Sequence, residues 1–204
     1  MFALARLKGP EPPAAASTVQ IVNEVRVGEQ ERPEPPYDSP EATTLLGFLE
    51  YQRETLQRKC RGLSDEQLRV TLPPSPITLG GLLKHLACVE DSWFTEVVAG
   101  RPLPEPWASV DFDADPDWTW HSAAADSGDA LRALWAERVN RSRGIMKARV
   151  GDRDEVALSQ THPAWGRQDR VSLRWVLAHM IAEYARHNGH ADLIRESIDG
   201  QTGD

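Results

Sequence analysis

The sequence has little cysteine, a deficit of positive charge and no long apolar run. Cys60 and Cys88 are its two cysteines among 204 residues. They form no Cys-x-x-Cys pair, which excludes a disulfide framework and makes a reducing compartment the expectation. Lysine and arginine number 23 against 31 acidic residues, for a net charge of −8. An acidic chain without a basic helix is a poor partner for nucleic acid or an anionic membrane. No stretch approaches the ~20 apolar residues that span a bilayer. The opening MFALARLKG lacks the basic start and long apolar run of a secretory signal. Cytoplasmic placement is therefore expected by elimination. A glycine-rich phosphate loop and a serine-nucleophile elbow are both missing.

Against these absences stand seven tryptophans, beside only three tyrosines and four phenylalanines. Proline is also unevenly spread, with seven of 15 in residues 1–40, mixed with small and acidic residues. That composition predicts a disordered leader over residues 1–38 and a folded domain over 39–200.

Helical signals dominate the folded part. Ser39 and Pro40 can open a first helix with Leu45, Leu49, Leu56 and Cys60 on one face, stopped by Gly62. Ser64-x-x-Gln67 reads as a capping box on a short turn. Thr78 can cap a second helix carrying Leu82, Leu86, Val89, Trp93 and Val97 up to Gly100. Ser127 starts a third, with Leu131, Leu134, Trp135 and Ile145 in register. Ser172 caps the last, which runs to Gly200. Nothing alternates apolar and polar residues long enough to demand a sheet. The expected fold is all-α, a four-helix bundle with long crossover loops, in which facing helices can aim ligands into the middle.

The last helix reads HMIAEYARHNGHADLIRE and holds His179, Glu183, His187 and His190. Glu183 and His187 are four apart and share a face, so together they can hold one divalent ion. Two ligands rarely suffice. His85, in LLKHLACVE on the second helix, stands beside the apolar stripe and can supply a third, leaving a coordination position open as a catalytic metal requires. The competing reading is a hydrogen-bonded core histidine and a solvated helix face. An ionised Glu183 beside Tyr184 in the most apolar helix nevertheless needs a partner. Cys60 and Cys88 read as packing residues rather than nucleophiles.

The stretches LGFLEYQRETLQRKCRGL, LLKHLACVE, DPDWTW and EYARHNGHADLIRE, in this order and at these separations, resemble the DinB-like superfamily over residues 40–200. The branch resembled contains the mycothiol-dependent enzymes, S-transferases and maleylpyruvate isomerases. The resemblance implies a four-helix bundle holding zinc or nickel through His85, Glu183 and His187. His190 stands where many relatives have Gln, as an additional ligand or a group orienting one, and His179 could hydrogen-bond Glu183. The implied activity is a metal-dependent S-transferase using mycothiol, a low-molecular-weight thiol, against small electrophiles. A non-enzymatic metal-binding stress-response protein is the alternative, and either could be a monomer or a homodimer. Trp93, Trp135 and Trp175 fall within helices and are expected in the core or in helix packing. Trp107, Trp118, Trp120 and Trp165 fall in the long connections, where they could rim a substrate mouth, Trp118 and Trp120 foremost.

Overall fold

Four long helices carry the fold in the computed structural model, which describes residues 34–151, 154–164 and 170–202. The leader expected over 1–38 falls mostly outside the described residues, as does Trp165. Helix α1 spans Glu41–Cys60, α2 is the single turn Asp65–Leu68, and α3 is Leu79–Glu90. The α3 helix continues as a π-helical segment, Asp91–Val98. A loop with the short α4, Trp118–Ser122, leads to α5, Gly128–Val150. Then come α6, Asp154–Ser159, and α7, Leu173–Asp199. The chain is mostly helical, as expected, and α1 packs along α7 while α3 packs along α5. No helix among the described residues is long and apolar enough to cross a membrane.

The caps follow the sequence signals in four places. Thr78, Ser127 and Ser172 accept from the backbone N–H three residues on, and Ser64 and Gln67 close a capping box in both directions. Each such cap is worth ~1 kcal/mol. Ser39 is the exception: Pro40 holds the N-cap position of α1 without a side-chain bond, and the Ser39 hydroxyl pairs with Thr44 at 2.9 Å.

The described residues between α5 and α7 hold more regular structure than the polar connection expected there. They include α6 and a two-stranded antiparallel pair, β1 (Thr161–Pro163) and β2 (Arg170–Ser172), with His162 opposite Val171. Three-residue strands are too short to leave an alternation in the sequence.

Leu49, Leu56, Leu82, Leu86, Val176, Leu177 and Met180 are fully buried, each contributing ~2 kcal/mol of apolar burial. Polar side chains join this core. Arg53 of α1 donates to both oxygens of Glu90, at 2.8 and 2.6 Å. The Tyr184 hydroxyl of α7 donates to Glu90 at 2.8 Å and accepts from the Trp135 indole of α5 at 3.0 Å. One residue from each long helix is thus tied into a single buried network, which fixes the relative register of the four.

The helix widens where two consecutive carboxylates must both turn inward. Glu90 serves that network, and Asp91, equally buried, accepts from Thr95, Arg141 and the Trp107 indole at 2.8–2.9 Å. Arg138 Nε lies 2.9 Å from the same carboxylate. Adjacent positions of a regular α-helix diverge by about 100°. The π geometry begins at Asp91, and such departures recur near functional sites.

Candidate metal centre

His85 sits in the middle of α3, one turn after Gly81, and its imidazole faces α7. Across the groove, α7 presents Glu183 and His187 on successive turns. Glu183 Oε1 lies 3.3 Å from His85 Nε2 and 3.2 Å from His187 Nε2. Two imidazole nitrogens and one carboxylate oxygen, all within 4.8 Å of one another, form a group able to hold a metal ion. The expected residues therefore do meet, although they are 98 positions apart in sequence.

The electrostatics suit that donor set. Hydrogen bonds from His187 and then His85 hold the Glu183 carboxyl far below the usual carboxylate range, against the opposing effect of burial. The group is thus an anion at neutral pH. One carboxylate with two imidazoles is a borderline set that accepts zinc or nickel as well as other divalent ions. His85 and Glu183 keep about a fifth of their side-chain surface exposed, 22% and 20%, so the cluster borders solvent.

The neighbouring histidines divide. The His190 ring centroid lies 5.5 Å from that of His187, outside the three-residue group, and its Nδ1 is buried without a hydrogen-bond partner. Burial, with the charges of His187 and Arg186, pulls its pKa down. His179 is engaged with tryptophans: its ring stacks on Trp175 at 5.0 Å and 5°, and meets Trp93 at 4.8 Å.

Trp120 reaches the cluster. Its indole stacks on His85 with centroids 4.5 Å apart and planes at 20°, and lies 5.8 Å from the His187 ring. This approach depends on a residue the sequence reading passed over. A Cβ at Gly81 would stand 2.8 Å from Trp120 Cε3, so the absence of a side chain there admits the indole. Gly80-Gly81 inside a helix, each costing ~1 kcal/mol relative to Ala, was the available signal. Trp120, Pro76 and His121 also line two clefts of about 220 and 370 Å³, to which none of the three cluster residues contributes.

The other tryptophans depart from expectation in instructive ways. Trp118 packs edge-on to Trp107 and lies under the Lys84 ammonium, 4.6 Å from its ring centroid. Trp107 is no part of a rim: it is 1% exposed, because its indole N–H is drawn inward by Asp91. Trp175 is no core residue, being 48% exposed, whereas Trp93 and Trp135 are buried as expected.

Cys60 and Cys88 are free thiols that burial pushes up to about 12 and about 11. Neither supplies a thiolate at neutral pH.

A family model described as Mycothiol-S-transferase matches residues 44–200, a span that includes every residue of the cluster. No curated protein matches the chain significantly.

Proposed function

The chain belongs to the Mycothiol-S-transferase family, and from that premise we propose that it conjugates mycothiol to small electrophiles at a divalent metal centre formed by His85, Glu183 and His187. The observation that carries this reading is the convergence of those three donors on one point at the edge of solvent. We take the ion to be zinc or nickel, both of which this donor set accepts. Bound there, the ion would supply the positive charge that brings a thiol's pKa into the neutral range.

The chain's own residues do the rest. Glu183 contributes the one negative charge, and His85 and His187 would each offer Nε2 to the ion. Trp120 packs on His85 and fixes its ring plane, a positioning role of the kind that tunes ligands from outside the coordination shell. The indole also shields the cluster on one side, leaving the external thiol to enter along the groove between α3 and α7. The sulfur of the deprotonated thiol forms a bond to the electrophilic carbon. The leaving group departs with its electron pair, and the thiol proton goes to solvent. The apolar surface of Trp120 suits an uncharged electrophile, whereas Asp111, Asp113, Asp115 and Asp117 in the same loop disfavour a polyanion.

The test is conjugation of a chromogenic electrophile by protein supplied with metal and mycothiol. Product formation that disappears on chelation and returns with added metal supports the reading. No metal-dependent turnover with mycothiol would overturn it. A cobalt-substituted sample titrated with thiol separates the enzyme from a protein that only stores or senses an ion, since only an open site changes its spectrum on adding thiol.

A further inference from the structure

The thiol chemistry leaves one aromatic cluster unused. Trp175 stands 48% exposed on α7, an unusual position for a large apolar ring. It is not loose. His179 stacks beneath it in parallel, 5.0 Å away, and the buried Trp93 backs both rings at 5.3 and 4.8 Å. The result is a rigid, flat aromatic shelf facing the solvent.

The shelf is aligned with the metal centre from both walls of the groove. On α7, Trp175, His179, Glu183 and His187 follow at intervals of four residues. Trp175 therefore lies about 12 Å along the helix from Glu183, at ~1.5 Å per residue. On the opposite wall Trp93 follows His85 by eight residues. A ligand anchored at the centre by one end would meet the shelf with its other end.

We infer that Trp175, His179 and Trp93 form a subsite for the sugar portion of the thiol substrate. The inference rests on the thiol reading above and extends it to recognition. Mycothiol carries its cysteinyl thiol on an amino sugar joined to a cyclitol. With the sulfur at the His85–Glu183–His187 cluster, those two rings project along the groove toward the shelf. Saturated rings present C–H faces that pack on an indole, and they carry no charge requiring a counter-ion. A flat aromatic surface at a fixed distance from a sulfur anchor discriminates a ring-bearing thiol from cysteine alone.

The test uses the whole chain without metal and the N-acetylated, thiol-free amino sugar–cyclitol as probe, with affinity measured by calorimetry. Saturable binding should weaken about five- to tenfold in Trp175→Ala and largely recover in Trp175→Phe. In the conjugation assay Trp175→Ala should raise the KM for mycothiol and leave the rate with N-acetylcysteine unchanged. Failure of the probe to bind the wild type, or equal affinity in Trp175→Ala, would overturn the subsite, as would a change in KM for the electrophile alone. Conjugation that persists without probe binding removes the shelf and spares the transferase reading. Probe binding without any metal-dependent conjugation does the reverse.

Discussion

The indole of Trp120 lies parallel to the imidazole of His85, 4.5 Å away, and rests on the bare backbone of Gly81 one turn earlier in α3. A ring from the loop is thereby joined to a proposed metal ligand on a helix, and the join depends on a missing side chain. Gly81→Ala should displace the indole. Because alanine gains up to ~1 kcal/mol of helix propensity over glycine, the thermal midpoint should stay within a few degrees of wild type. Near-ultraviolet circular dichroism should change and turnover should fall. An unchanged aromatic spectrum would contradict this account of Gly81.

The buried Arg53–Glu90 pair should behave as a structural pin. Glu90→Ala removes the buried acceptor of both Arg53 and Tyr184, leaves the guanidinium only its bond to the partly exposed Glu50, and should cost about 3–5 kcal/mol in urea unfolding. Replacing both by apolar residues of similar volume should recover most of that loss. If the single and double variants were equally unstable, the charge pairing would not be the reason for the cost.

Glu183 sets a pH dependence of stability in the metal-free protein. Its folded pKa is depressed, by hydrogen bonds from His187 and then His85. The stabilisation it contributes is therefore present above its ordinary value of 4.5 and is lost as pH falls from there toward the folded value. Unfolding followed from pH 6 to about pH 3 should show wild type losing more stability than Glu183→Gln. Parallel curves would show that the carboxylate is not held by the histidines.

Cys60 and Cys88 should be silent. With thiols pushed up to about 12 and about 11, both should react slowly with a thiol-specific reagent in the native protein at neutral pH and quickly after unfolding. Cys60→Ser and Cys88→Ser should each retain conjugation. Loss of turnover in either would point to a protein thiolate in the reaction.

Where sequence and structure agree, local physics suffices. The serine and threonine caps at 64, 78, 127 and 172 and the helical spacing of apolar residues locate the helices. The four-residue step from Glu183 to His187 was legible for the same reason, and His85 was legible from its place beside an apolar stripe. What could not be read depends on partners distant in the chain. Trp107 is buried because Asp91 accepts its N–H, and α3 widens into a π segment because Arg53 and Arg141 claim adjacent carboxylates. Trp175 sits in a helical pattern like that of Trp93, yet only packing against other helices decides which ring reaches water. The β1–β2 pair is too short to leave a period. Membership of the Mycothiol-S-transferase family agrees with the resemblance carried by the four motifs.

The central claim is that His85, Glu183 and His187 hold the ion that activates the thiol. Elemental analysis of purified wild type beside His187→Ala, after equilibration with zinc or nickel and removal of free metal, tests it most directly. The account predicts about one divalent ion per wild-type chain and its loss from the variant, with the helical circular dichroism spectrum retained. Equal metal content in the two proteins would contradict it.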